Sequence, residues 1–115
     1  MTVEEILHQY DVSFYVSDFG TPFFLAANVM EKMFTFFSSV DDLNEEVLQL
    51  VDHYLQGNPF PVDNDLSFFY QGAEVTMQGI RFYHLYTGDL DFLLPLEHFK
   101  VIVLAWRDFL EMNTL

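Results

Sequence analysis

Leu94-Pro95-Leu96-Glu97-His98-Phe99-Lys100-Val101-Ile102-Val103-Leu104-Ala105-Trp106-Arg107-Asp108-Phe109-Leu110-Glu111-Met112 is the stretch that decides the fold. At helical spacing Phe99, Ile102, Val103, Trp106, Phe109 and Leu110 fall on one broad face, while Glu97, Lys100, Arg107, Asp108 and Glu111 fall on the other. Pro95 suits the first helical position, where a missing N–H leaves nothing unpaired and φ is already helical. Such a helix has to bury its aromatic face, so the rest of the chain is expected to pack around it. Val101 and Leu104 project from the charged arc. Either neighbouring elements cover them or they remain a small apolar patch, and burial is the favoured reading.

Upstream of this helix, Leu66 to Gln71, Ala73 to Gln78, Ile80 to Thr87 and Leu90 to Leu94 read as strands bounded by Gly72, Gly79 and Gly88-Asp89. Their short connections predict an antiparallel meander. Asn58-Pro59-Phe60-Pro61-Val62-Asp63-Asn64-Asp65 is a proline-punctuated loop that separates this β half from a helical half. Asp41 to Gln56 reads as a helix ended by Gly57, burying Leu43, Val47, Leu48, Leu50, Val51, Tyr54 and Leu55. Thr21 to Ser38 has two readings. Thr21-Pro22 with Ala26, Val29, Met30, Met33 and Phe37 favours a helix, and Phe23-Phe24-Leu25 allows a hairpin with the alternating strand Asp11 to Ser17. Asp18-Phe19-Gly20 turns the chain, and Thr2 with Glu5 makes a capping box for a short helix to Tyr10. The expectation is one α+β domain over residues 1–115: an antiparallel β-meander packed against a C-terminal helix, with an N-terminal helical half.

Eighteen Asp and Glu stand against four Lys and Arg in 115 residues, a formal net charge of −14. Solubility asks for a magnitude of only about 2–8 in a small domain. The excess raises self-repulsion, so it argues for a cationic partner. Nucleic acid and anionic membrane are excluded as partners, because phosphate binding needs clustered Lys and Arg. There is no cysteine and so no disulfide or thiolate chemistry. The start, Met-Thr-Val-Glu-Glu-Ile, is acidic where a signal peptide is basic, and no apolar run approaches ~18 residues, so a cytoplasmic protein is expected. The same net charge opposes bringing two copies together, and a monomer is expected.

His8, His53, His84 and His98 lack the paired spacing of a zinc helix, and Asp63-Asn64-Asp65 lacks the distal Glu of a calcium loop, so no metal and no cofactor is expected. Carboxylate pairs bring hydrolysis to mind, but a domain this small seldom encloses a sugar, and neither a nucleophile elbow nor a phosphate-binding glycine loop is present. A binding protein rather than an enzyme is expected. The helix from Asp41 carries Asp41, Asp42, Glu45, Glu46, Asp52 and His53 on its outer arc with no Lys or Arg among them. The helix dipole favours the first of these carboxylates, but the like-charge i, i+4 pairs Asp41/Glu45 and Asp42/Glu46 each cost a few tenths of a kcal/mol, and Asp52 lies beyond the dipole's reach. A solvated face and a cation-binding face both remain open. A second candidate surface is the β half, where Glu74, Thr76 and Gln78 alternate with the inward Val75 and Met77. There Tyr70, Tyr83 and Tyr86 stand near Asp63, Asp65, Asp89 and Asp91, and tyrosine is common at binding hot spots.

The closing pattern Leu96-Glu97-x-Phe99 followed by Trp106-x-x-Phe109-Leu110 resembles the terminal helix of small acidic immunity proteins of contact-dependent growth inhibition and related polymorphic toxin systems. The resemblance covers the last fifth of the chain and transfers no binding residues. It implies a bacterial cytoplasmic protein that binds and blocks one cognate toxin, often a basic nuclease, by presenting an acidic surface to its active site. The candidate contact residues from the charge pattern are Asp41, Asp42, Glu45, Glu46, Asp52, Asp63, Asp65, Tyr70, Tyr83 and Asp89. The alternative is a DNA mimic, whose carboxylates would follow phosphate spacing and occupy a DNA-binding or restriction protein.

Overall fold

The computed structural model describes residues 1–57, 64–69 and 71–113. It is α+β, with two antiparallel sheets and a long C-terminal helix. In chain order the elements are α1 (Val3–Gln9), β1 (Ser13–Val16), β2 (Pro22–Leu25), α2 (Met30–Phe36), α3 (Val40–Asp42), a π-helical segment (Leu43–Leu48), α4 (Gln49–Leu55), β3 (Gln71–Thr76), β4 (Gly79–His84), β5 (Leu90–Leu94) and α5 (Leu96–Asn113). Among the described residues no helix is long and apolar enough to cross a membrane.

The C-terminal helix is the packing centre. Phe99, Ile102, Val103, Trp106 and Leu110 are buried, and Phe109 is half-buried against the same core. Pro95 sits one position before the helix, where its C=O accepts the first helical bond from the Phe99 N–H at 3.0 Å. Val101 and Leu104 are half-buried and packed on the core.

On one flank of α5, the β1–β2 hairpin lays Phe14 and Phe24 against Trp106, with ring centroids 5.4 and 5.5 Å away. Here the favoured helix over residues 21–38 is corrected. Residues 22–25 form a strand, and helix begins only at Met30. The hairpin wins because its turn is fully specified. The Gly20 N–H donates to the Ser17 carbonyl, Ser17 Oγ accepts from the N–H groups of Phe19 and Thr21, and Gly20 takes φ 81°, which a side chain would resist. Phe24 then faces inward while Phe23 and Leu25 face out, a period of two rather than 3.6. The α2 start signal is Asn28, whose Oδ1 accepts from the Met30 N–H at 2.9 Å while its amide donates to the Tyr10 carbonyl.

The β3–β4–β5 meander packs on another part of α5, with Val75, Ile80, Phe82 and Leu94 fully buried. The predicted strand Leu66 to Gln71 is corrected: Asp65 and Phe68 make only isolated bridges, to Glu74 and Gln71. Met77, expected to face inward, lies in the β3–β4 turn and is exposed. At the other end α1 begins with the expected capping box, the Glu5 N–H donating to Thr2 Oγ1 and the Thr2 N–H to Glu5 Oε1. The Tyr10 hydroxyl, just past α1, and His98 Nδ1 of α5 share a hydrogen bond of 2.7 Å. Burial pushes the Tyr10 hydroxyl pKa upward.

Candidate acidic groove

The predicted helix 41–56 exists as one rod over 40–55, started by Ser39, whose Oγ accepts from the Asp42 N–H at 3.0 Å. Its middle, Leu43–Leu48, is π-helical. A π turn bonds i to i+5 and so uses more residues per turn than the α-helix. The phase counted at 3.6 residues therefore slips downstream of it. Two expectations fail downstream of it, the second for this reason. Leu55, assigned to the buried arc, is 37% exposed. Asp52, assigned to the outer arc, is half-buried, and its carboxylate meets Lys100 Nζ of α5 at 2.6 Å.

Before and within the π-helical segment, Asp41, Asp42, Glu45 and Glu46 are exposed as expected, and Leu43, Val47 and Leu48 are buried beneath them. Opposite this arc runs the segment 64–69, clipped to β3. Asn64 accepts from the Val75 N–H and its Nδ2 donates to the Val75 carbonyl, while the Leu66 N–H donates to Ala73 and the Ala73 N–H to Ser67 Oγ. Asp65 turns there, its Oδ1 accepting from the Ser67 N–H at 2.8 Å.

Two adjoining grooves lie between helix and segment. One, about 360 Å³, is lined by Glu45, Glu46, Gln49, His53 and Asp65, with Leu50 and Leu66 as its apolar floor. The other, about 400 Å³, is lined by Phe36, Phe37, Asp42, Glu46, Asp65, Leu66 and Ser67. Glu46 and Asp65 belong to both. Asp42, Glu45 and Glu46 are neighbours on one helix, and the fold brings Asp65, 19 residues beyond Glu46, to the same place.

Lys and Arg are absent from the described lining of both grooves. Of the chain's four Lys and Arg, Lys32 is exposed on α2. Lys100 is paired with Asp52, Arg107 with Asp108 and Asn44, and Arg81 with Glu74. No group of three or more His, Asp or Glu among the described residues is arranged to hold a metal ion. The chemistry available is attraction and hydrogen-bond acceptance toward ammonium or guanidinium groups, which a low-dielectric floor strengthens relative to open water.

The other predicted residues separate. Asp41 is exposed but lines neither groove, and Asp63 and Tyr70 lie outside the described residues. Asp89 is exposed in the β4–β5 turn. Tyr83 has a packing role: its ring lies over Gly72, where an added Cβ would come within 2.4 Å of the ring carbons, and Arg81 stacks over it at 4.8 Å. Arg81 also pairs directly across the ladder with Glu74 at 3.0 Å. Phe36 was missed. It is 48% exposed in the second groove and meets the exposed Phe69 edge-on at 5.5 Å, and the Phe36-Phe37 doublet that crosses the helical period was its signal. Compared with protein-family models, with curated proteins and with solved structures, the chain matches none.

Proposed function

We propose that this chain is a stoichiometric inhibitor of a basic protein, an immunity protein that neutralises a cognate bacterial toxin by seating lysines and arginines of that toxin in the paired grooves. The observation that carries the reading is the convergence of Asp42, Glu45, Glu46 and Asp65 on adjoining grooves with no Lys or Arg among the described lining residues, in a chain of net charge −14. A nuclease cleft is lined with cations to hold phosphate, so carboxylates presented to it gain both steering and complementarity. The apolar floor of Leu50 and Leu66 and the wall of Phe36 and Phe37 give the aliphatic stems of Lys and Arg a surface to lie on. Local convergence favours this over a DNA mimic, whose carboxylates would run along an extended surface.

The test uses the basic protein encoded by the neighbouring reading frame, with association followed by stopped flow. One-to-one binding is expected, with an on-rate that falls steeply between low and physiological salt. The double substitution Glu45→Lys with Glu46→Lys is expected to slow association by roughly tenfold or more, given the size of steering effects, with the circular dichroism spectrum unchanged. An on-rate indifferent to salt and to the double substitution would refute the proposal.

A further inference from the structure

We propose that the outer edge of β1 is a second docking site, at which an extended segment of a basic partner protein adds to the β1–β2 hairpin as a third strand. The partner's basic character rests on the reading above, whereas the site itself is separate from the grooves and rests on the hairpin.

The edges of the two sheets are not equally protected. The outer side of β3 is occupied by the 64–69 segment through the Asp65–Glu74 and Phe68–Gln71 bridges. The β5 strand carries Asp91, follows Asp89 and runs into Pro95, and both charge and proline discourage strand addition. On β2, Pro22 lacks a donor and α2 packs alongside, with Phe24 and Phe34 rings 4.6 Å apart. On β1 the sequence is Ser13-Phe14-Tyr15-Val16, strongly β-prone, with neither charge nor proline.

The backbone of β1 is also in phase for pairing. The Ser17 N–H donates to the Thr21 carbonyl at 2.8 Å, and β1 and β2 pair in register from Ser13–Leu25 to Val16–Pro22. In an antiparallel pair the bonded positions alternate, so residues 13, 15 and 17 bond inward and the N–H and C=O of Phe14 and Val16 point out. Pro22 opposite Val16 agrees, since that position needs no donor. Among the described residues no hydrogen bond engages the outward groups of Phe14 or Val16.

Side chains on both faces prepare the same edge. Under the hairpin an aromatic row runs Phe34, Phe24, Trp106, Phe14, Phe109, each neighbour within 5.5 Å by ring centroid. It ends on Phe109, which contacts Phe14 of β1 and remains half-buried. Inward side chains of an added strand would extend that row. On the outer face Tyr15 and Phe23 stack at 5.1 Å and are 44% and 41% exposed, and Phe19 at the hairpin tip is 97% exposed.

Charge selects the occupant. Exposed Asp11 and Asp18 bracket β1. A second copy would bring its own two carboxylates to the shared ladder and another net charge of −14. A segment with apolar residues at alternate positions and Lys or Arg at its ends meets both the strand and its brackets.

The probe is a synthetic peptide, Lys-Val-Thr-Val-Thr-Val-Lys, added to the intact ¹⁵N-labelled protein, with amide hydrogen exchange as the readout. Exchange of the Phe14 and Val16 amides is expected to slow by about tenfold or more, as for newly bonded groups. Val16→Pro removes an outward donor without touching the β1–β2 bonds and is expected to abolish binding, as is Tyr15→Lys, with β2 amide protection showing that the hairpin persists. A flexible peptide of the same charge, Lys-Gly-Ser-Gly-Ser-Gly-Lys, should leave both amides unprotected. Glu45→Lys with Glu46→Lys should leave the β1 protection intact, which separates failure at the grooves from failure here. Equal protection by both basic peptides, or by a version ending in Glu, overturns the proposal. So does a dimer in sedimentation that buries these amides without peptide.

Discussion

Replacing Trp106 by phenylalanine tests the account of the core more sharply than truncating it. Trp106 is 2% exposed, sits among Phe14, Phe24 and Phe109, and carries an indole N–H with no hydrogen-bond partner among the described residues. Trp106→Ala empties the centre of the hairpin–α5 contact and is expected to cost ~3–5 kcal/mol. Trp106→Phe loses only part of the ring system. If the structure does not relax, a void of roughly 40 Å³ at ~24 cal/mol per Å³ costs about 1 kcal/mol, with a similar amount for lost apolar transfer. Against this, the substitution removes a buried donor whose unmet desolvation costs about 1–3 kcal/mol. The two effects are of equal size and opposite sign, so a net change within about 1 kcal/mol of zero is expected. Because Trp106 is the chain's one tryptophan, urea unfolding must be followed by far-ultraviolet circular dichroism rather than by indole fluorescence. A loss above ~3 kcal/mol for Trp106→Phe, equal to that for Trp106→Ala, would refute the reasoning. It would mean that the indole N–H is satisfied in solution.

Two further perturbations probe the ends of the same framework. Tyr10→Phe breaks the hydrogen bond to His98 and is expected to lower stability at neutral pH by ~0.5–1.5 kcal/mol. In the parent, the raised Tyr10 pKa means that the native state keeps its proton where the unfolded state, near 10.0, begins to lose it. Stability should therefore be flat below that pH and fall as pH rises beyond it, and urea titrations should show that this contribution to the slope is missing in Tyr10→Phe. The net charge of −14 predicts the reverse of ordinary salt indifference. Between ~0.01 and ~0.15 M sodium chloride the screening length shortens from ~30 to ~8 Å, and the calorimetric melting temperature should rise by a few degrees. An unchanged or falling midpoint would show that the carboxylates do not repel one another appreciably.

The parts of this molecule legible in sequence are those where one local rule acts alone. The terminal helix is visible because six apolar residues keep the 3.6 period without interruption, and the α1 capping box because Thr2 and Glu5 satisfy each other within four residues. Thr21-Pro22 shows the opposite situation. Two local signals compete there, and the choice falls to Phe14, Gly20 and Trp106, which are distant or belong to the turn. The helix over 40–55 was visible, but its phase was not: nothing local in Leu43-Asn44-Glu45-Glu46-Val47-Leu48 announces an i to i+5 bond, and the slip moved Asp52 toward Lys100. Of the candidate site, the carboxylates of one helix were legible as an arc. Their meeting with Asp65 was not, because it depends on how the 64–69 segment is clipped to β3.

The packing of Tyr83 on Gly72 restricts the order in which this sequence can drift. Any side chain at position 72 would overlap the Tyr83 ring at 2.4 Å, whereas a smaller residue at position 83 leaves that space open. A mutational path that changes both positions therefore passes through 83 first. That first step also removes the surface over which Arg81 stacks, leaving the Glu74 ion pair and the bond to the Gly88 carbonyl to orient the guanidinium. Positions 72, 81 and 83 are thus expected to change as a coupled set among descendants of this chain, with glycine at 72 retained as long as an aromatic ring occupies 83.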